Sequence, residues 1–154
     1  MQPQDVYNRA YDTATRALDQ WIHTIKDVAV IDREQTASYW RVRLRPLEIN
    51  ACPAELMISR DQSFDIDIGT ESLVNQSVTD LTLFLPLLQA VADGHVICRV
   101  WSAQATGIEL TRENGVQPAD HRDWSMKRII SAGIAATEKS AVACDRAYVA
   151  YRRS

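Results

Sequence analysis

The stretch Val28–Arg45, VAVIDREQTASYWRVRLR, decides the fold, because apolar and polar residues alternate along both of its halves. The alternation predicts a hairpin with strands over 28–34 and 38–45, in a register that sets Glu34 opposite Tyr39. In this register one face of the hairpin is apolar. The other face is charged, and its members are Asp32, Glu34, Arg41, Arg43 and Arg45. Such a division is typical of an antiparallel sheet that packs against the protein core on one face and is exposed to solvent on the other, which we call the wet face.

Upstream of this hairpin, apolar residues recur every three or four positions, which predicts an amphipathic helix over about residues 4–26. The apolar stripe consists of Tyr7, Tyr11, Ala14, Leu18, Trp21 and Ile25. A helix with two such distinct faces docks on another surface. We expect that surface to be the domain's own sheet, and a dimerisation seam is the alternative.

Downstream, alternation and turn residues predict two further hairpins. They comprise residues 54–60 with 63–68, and residues 95–102 with 107–113. Gly69 is expected to end the strand before it, and Asn114-Gly115 to form a second turn after the third hairpin. Residues 116–123 are polar and are interpreted as a loop.

Three segments are harder to interpret. Residues 77–93 have a helical apolar pattern that runs through Pro86, so we favour one kinked helix over a strand followed by a helix that begins at the proline. Residues 124–130 fit either a strand or the start of a helix. Residues 137–153 are interpreted as a C-terminal helix, with Arg152 and Arg153 placed favourably near its end.

The order of these elements predicts one α+β domain over residues 1–154. It contains a largely antiparallel sheet of about six or seven strands, packed by an N-terminal, a central and a C-terminal helix. The order helix, antiparallel strands, helix, hairpin, helix, together with the acidic charge, is similar to that of the small acidic chaperones of bacterial type III secretion. The likeness is confined to element order and charge, so no residue roles follow from it.

Composition narrows the classes of function. The 154 residues carry a formal net charge of −3, which argues against a protein devoted to nucleic acid or to anionic membranes. The first residues show no apolar segment typical of a signal peptide, and the three cysteines are widely spaced, as in proteins of a reducing compartment. We therefore expect a cytoplasmic protein.

Recognisable catalytic fingerprints are missing from the sequence. The five glycines are isolated, so no phosphate-cradling loop is indicated, and the patterns G-x-S-x-G, H-E-x-x-H and C-x-x-C do not occur. We expect no cofactor and no metal, and we favour a protein that is not an enzyme.

A few residues remain as candidates for a binding site. Asp65 and Asp67 share a strand face and fit a cation site or a carboxylate pair, although we favour the solvated face of a half-buried strand as their explanation. His121 and Asp123 are two residues apart and fit a general-base pair in an extended segment. Trp101, with Arg99 two residues before it, has the composition of a hot spot for a protein partner.

These observations predict a small non-catalytic binding or adaptor protein that acts through protein–protein contacts, as a homodimer. The alternative is a small-ligand binder or small enzyme with a pocket between the sheet and helix 1. Neither nucleic acid nor a membrane is expected as a partner, and the sequence names no small ligand.

Overall fold

The N-terminal apolar stripe forms the predicted helix, α1 (Gln4–Ile25). In a computed structural model, residues 2–119, 124–137 and 140–153 are described. These residues contain three helices and nine strands, and every strand pairing is antiparallel. The α+β class is confirmed, with the strands divided between two sheets instead of one.

Sheet I is a five-stranded meander in which each strand pairs with the next along the chain. Its strands are β1 (Ala29–Gln35), β2 (Tyr39–Pro46), β3 (Ala54–Ser59), β4 (Ser63–Ile68) and β5 (Glu71–Ser77). The first two hairpins were predicted, whereas β5 was not, because its residues after Leu73 lack apolar alternation. Gly69 ends β4 as expected, with a positive φ of 62° that glycine adopts without strain.

The first hairpin differs from its predicted register by two residues. Glu34 pairs with Arg41 instead of Tyr39, because the turn lies one residue further along the chain, over residues 36–39 instead of 35–38. The Thr36 hydroxyl accepts hydrogen bonds from the N–H groups of Ser38 (3.1 Å) and Tyr39 (3.2 Å), which fixes this tight turn. A shift of two residues keeps every side chain on its face, so the predicted division into an apolar and a charged face is correct.

The apolar face of sheet I packs against α1 and a second helix to form the core. Trp40, Val42 and Leu44 are completely buried there. The indole Nε1–H of Trp40 donates to Asp19 on α1 at 2.9 Å, so the buried ring keeps a polar partner. Sheet and helices are therefore joined by burial and by a directed contact.

The segment 77–93 is not one kinked helix. Ser77 ends β5, a 3-10 turn covers Leu81–Leu83, and α2 covers Phe84–Ala92. Pro86 is the third residue of α2, where a backbone N–H has no intrahelical acceptor, so the proline costs no hydrogen bond. Across the described residues, we find no helix with the length and apolar character needed to cross a membrane.

Sheet II has the strand order β8-β7-β6-β9. Its strands are β6 (Val96–Ala103), β7 (Glu109–Val116), β8 (Trp124–Ile129) and β9 (Ala141–Ala147). The strand interpretation of residues 124–130 is thus confirmed. The predicted turn at Asn114-Gly115 is wrong, because both residues lie inside β7, which has a paired strand on each side.

The predicted C-terminal helix over residues 137–153 is also wrong. A short helix, α3 (Ala132–Thr137), precedes β9, which pairs with β6 along its whole length. Alanine favours a helix locally, but pairing with β6 joins residues 38 to 50 positions apart and overrides that preference. Residues 140–153 therefore do not contain the final helix on which the similarity of element order to secretion chaperones depended.

The two sheets share one hydrophobic core, to which Val96, Val116 and Met126 of sheet II contribute. Polar contacts also join them where β5 lies beside β8. The carboxylate of Glu71 is buried and accepts two hydrogen bonds from the Arg128 guanidinium, at 3.0 and 3.2 Å. These contacts join sheet II to sheet I.

Candidate functional site

One face of sheet II points away from the core, as the burial of β6 shows. Val96 and Cys98 are buried, so the residues between and after them, Ile97, Arg99 and Trp101, lie on the opposite face. The strand pairings then place their neighbours on the same face. We call this surface the ladder face, and it comprises Ile97, Arg99, Trp101, Glu113, Lys127, Ile129 and Asp145.

A row of alternating charges crosses the ladder face. The register aligns Asp145, Arg99, Glu113 and Lys127 on the four strands β9, β6, β7 and β8. The Arg99 guanidinium donates two hydrogen bonds to Asp145, at 2.6 and 2.7 Å, and this contact lowers the pKa of the Asp145 carboxyl. Acid next to base across strands stabilises the sheet and leaves the row without net charge.

Trp101 lies directly beside this row. Its half-buried ring has the Arg99 guanidinium 5.7 Å and the Lys127 ammonium 5.1 Å from its centre. Both distances are within the range of cation–π attraction, so the two cations hold the ring in place. Ile129 shares its side of the row and is 62% exposed. A rigid aromatic ring beside exposed apolar side chains is typical of a protein-binding surface.

On the other side of the charge row the ladder face contains a cavity of about 510 Å³. Its lining includes Ile97, Gly115, Ser125 and Ala147, with His95 at one end. Gly115 has no side chain, and the row that it shares with Ile97 also contains the small side chains of Ser125 and Ala147. The cavity therefore follows from small residues at neighbouring positions, and it gives the ladder face a concave part beside the flat part around Trp101.

The sequence-based candidates fall in different places. Trp101 and Arg99 are in contact, as their spacing in the sequence suggested. Asp65 and Asp67 lie on the wet face of sheet I, which belongs to the other sheet. His121 and Asp123 lie outside the described residues. Within the described ranges, no group of three or more His, Cys, Asp or Glu side chains is arranged to hold a metal ion.

Asp65 has a structural contact. Its carboxylate accepts a hydrogen bond of 2.6 Å from the backbone N–H of Asn75, which has a positive φ of 54°. The register of β4 and β5 shifts at this position, so the carboxylate holds an irregular part of the strand pair. Asp67 lies opposite Glu55 and Ser72.

Two arginines on the wet face of sheet I, Arg41 and Arg43, are paired with acids. Arg41 contacts Glu55 at 3.0 Å and Asp32 at 3.4 Å, and Arg43 contacts Glu55 at 3.3 Å. These contacts neutralise much of the positive charge that a phosphate backbone would need.

Beyond Arg99 and Trp101, sequence reasoning missed the members of the ladder face, and three of these, Glu113, Lys127 and Asp145, belong to the charge row. They are far apart in the chain, and Asp145 was assigned to a helix. A weak signal existed in β8, where Ser125, Lys127 and Ile129 follow a two-residue period. The row itself depends on the registers of three strand pairs, which no local pattern contains.

An apolar cavity of about 520 Å³ lies between α1 and α2. Its lining includes Ala10, Ala14, Ala17, Leu85 and Pro86. The space between α1 and sheet I, by contrast, is filled by core side chains such as Trp40 and Val42.

Comparison of the chain with family models, with curated proteins and with solved structures finds no match. The function is therefore argued from the geometry alone.

Proposed function

We propose that this protein is a non-catalytic binding protein that acts through protein–protein contacts, as a homodimer, with the ladder face as its surface for a polypeptide partner. The observation that carries the proposal is the position of Trp101, which has Arg99 and Lys127 within cation–π distance on a face that also exposes Ile97 and Ile129.

Energetics support this choice of surface. Binding energy at protein interfaces concentrates in a few Trp, Tyr and Arg side chains surrounded by contacts that exclude water. Trp101 is held in place before a partner arrives, so little side-chain freedom is lost on binding. The 44% exposed Ile97 and the more exposed Ile129 offer apolar area on either side of the charge row.

The charges of the ladder face indicate the kind of partner. Two acids alternate with two bases, so the face has no net charge to attract a nucleic acid or an anionic membrane. A polypeptide with apolar side chains and both signs of charge can match this pattern, and the alternation would select its register.

Site-specific photo-crosslinking in cells tests the proposal. A photoreactive residue at position 129 should give one discrete protein adduct, and the same residue at exposed Val74 of sheet I serves as the matched control. The adduct should disappear with Trp101→Ala. For the partner identified in this way, Trp101→Ala should weaken the affinity by about thirtyfold, as expected for a hot-spot residue.

Equal adducts at positions 129 and 74, or an affinity that does not change with Trp101→Ala, would contradict the proposal.

The alternative function, a small-ligand binder or small enzyme, stays a prediction. The apolar cavity between α1 and α2 supports a small apolar ligand. If the protein binds such a ligand there, Trp101→Ala should not change the affinity, because Trp101 lies on sheet II and does not line this cavity.

A further inference from the structure

Three of the four edge strands carry features that hinder pairing with another chain. The edge strand β1 has three consecutive charged residues, 32–34. At β5 the ladder is irregular around Asn75, and β8 lies beside β5 with Arg128 bound to Glu71. Charges, irregularities and covering contacts are the means by which proteins protect sheet edges.

The fourth edge, β9 (Ala141–Ala147), has neither a run of three charges nor an irregular ladder, and no element among the described residues covers it. All seven of its residues are exposed, and its register with β6 is uninterrupted. Five of the seven side chains are uncharged and apolar, and the charged ones are Asp145 and Arg146. Among the described residues, the strand pairing of β9 is with β6 alone. A regular, mostly apolar edge is a template for a further strand.

Hydrogen bonds define how far the open edge extends. The N–H of Tyr148 donates to Val96 on β6 at 3.0 Å, whereas the N–H of Val149 donates to Asn50 on the opposite side at 3.1 Å. Because successive backbone groups alternate in direction, the N–H and C=O groups of the odd-numbered residues of β9 point to its open edge. A bridge between Ala51 and Val149 covers the edge beyond β9. The open edge is therefore seven residues long, and Cys144 is its midpoint.

We propose that a second copy of this chain pairs antiparallel with β9 about a twofold axis at Cys144. The inference deepens the proposed function, because it rests on the homodimer named there and states which surface forms it. In this arrangement Ala143 lies opposite Asp145 of the second copy, and Ala141 lies opposite Ala147. Each such pair exchanges two backbone hydrogen bonds, and the two sheets become one continuous sheet.

The charges of β9 suit this register. Arg146 lies opposite Val142 of the second copy, and the two Arg146 side chains are about 13 Å apart along the strands. Asp145 is already neutralised by Arg99 on its own chain. An axis at Asp145 would instead set two carboxylates face to face, and an axis at Ala143 would leave Ala147 outside the pairing. Centring on Cys144 uses the whole open edge and keeps like charges apart.

Opposite charges placed at position 142 test the register. Val142→Glu adds a carboxylate opposite Arg146 of the second copy, and Val142→Lys adds an ammonium there. We expect the wild type to be a dimer at micromolar concentration in sedimentation experiments. We expect the dimer dissociation constant to be about tenfold lower for Val142→Glu than for Val142→Lys, because the pair occurs twice in each dimer. The matched controls are Val74→Glu and Val74→Lys on the edge strand β5. Both substitutions should leave the dimer dissociation constant unchanged.

The outcomes separate this inference from the proposed function. A dimer that responds equally to both substitutions at position 142 would overturn pairing through β9 and leave the homodimer standing. A monomer at high concentration would overturn the pairing and the homodimer, while partner binding at Trp101 would be judged by the crosslinking experiment alone.

Cys144 provides an independent readout. Residues that face each other in a non-hydrogen-bonded pair have Cα atoms about 4.5 Å apart, within the range that a disulfide spans. Diamide, which takes up two electrons and two protons, should join the two exposed thiols into one bond between copies. A covalent dimer should appear and be lost with Cys144→Ser, because the other cysteines are buried. Failure to crosslink at concentrations where the dimer forms would overturn the proposed axis.

Discussion

Sheet I and the outer part of sheet II are built from similar alternating strands, yet their surroundings differ. Along β3 and β4, buried and half-buried residues alternate without interruption, whereas every residue of β9 is exposed. The reason is the position of the helices: α1 and α2 cover sheet I, and only the end of sheet II near Val96 reaches the same core. Sheet I therefore contributes most of the buried core, whereas the outer part of sheet II contributes exposed surface.

The largest effect that should distinguish the two regions comes from their tryptophans. Trp40→Ala empties a fully buried site and removes the hydrogen bond to Asp19, so we expect a loss of about 3–5 kcal/mol in the free energy of unfolding. Trp101→Ala, on the half-buried ladder face, should cost about 1 kcal/mol. Guanidinium-induced unfolding of both variants measures the difference. Equal losses would show that the ladder face belongs to the stabilising core.

A smaller effect is expected at the junction of the sheets. Arg128→Ala leaves the buried carboxylate of Glu71 without its two charge-assisted hydrogen bonds, which should cost about 2 kcal/mol in unfolding experiments. Arg9→Ala, which removes an exposed ion pair with Asp5 on α1, is the control and should have no measurable effect. If both variants unfold like the wild type, the contact does not join the two regions energetically.

The smallest effect concerns the thiols of the two regions at alkaline pH. Burial raises the pKa of the Cys52 thiol from 9.0 to about 12, so the folded protein keeps a proton that the unfolded chain releases. The free energy of unfolding should therefore fall as the pH rises above 9.0, and Cys52→Ala should reduce this slope by about 1 kcal/mol per pH unit. Cys144→Ser, at the exposed strand, should leave the slope unchanged. Urea unfolding at a series of pH values provides the comparison, and identical slopes for wild type and Cys52→Ala would refute it.

Local sequence patterns were sufficient to predict an element where its periodicity lies within that element. The stripe from Tyr7 to Ile25 predicts α1 because a helix with one apolar face must dock, whatever it docks on. The alternation in β2 and β4 similarly predicts strands with one covered face. The register of the first hairpin was missed by two residues because it depends on the turn at Thr36, whose hydroxyl contacts are not visible in the alternation.

Predictions failed where the local structure depends on pairing with strands that are distant in the sequence. Asn114-Gly115 is a strong local turn signal, yet pairing on both sides holds it in β7, and the Asn114 amide donates to the Ile68 carbonyl of sheet I at 2.6 Å. Of the candidate site, only Trp101 with Arg99 was visible, since the two lie on one strand. Their neighbours Lys127 and Asp145 come from strands whose position depends on long-range pairing.

The sequence by itself determined the α+β class, the amphipathic first helix and the division of sheet I into an apolar and a charged face. These features follow from side-chain periodicity, which acts within one element. The tertiary structure alone decided that residues 141–147 form a strand, that four charges align across sheet II, and that β9 pairs with no second strand among the described residues. The physical reason is that strand order and register depend on partners far away in the chain, and hydrogen bonding with those partners can outweigh local preference.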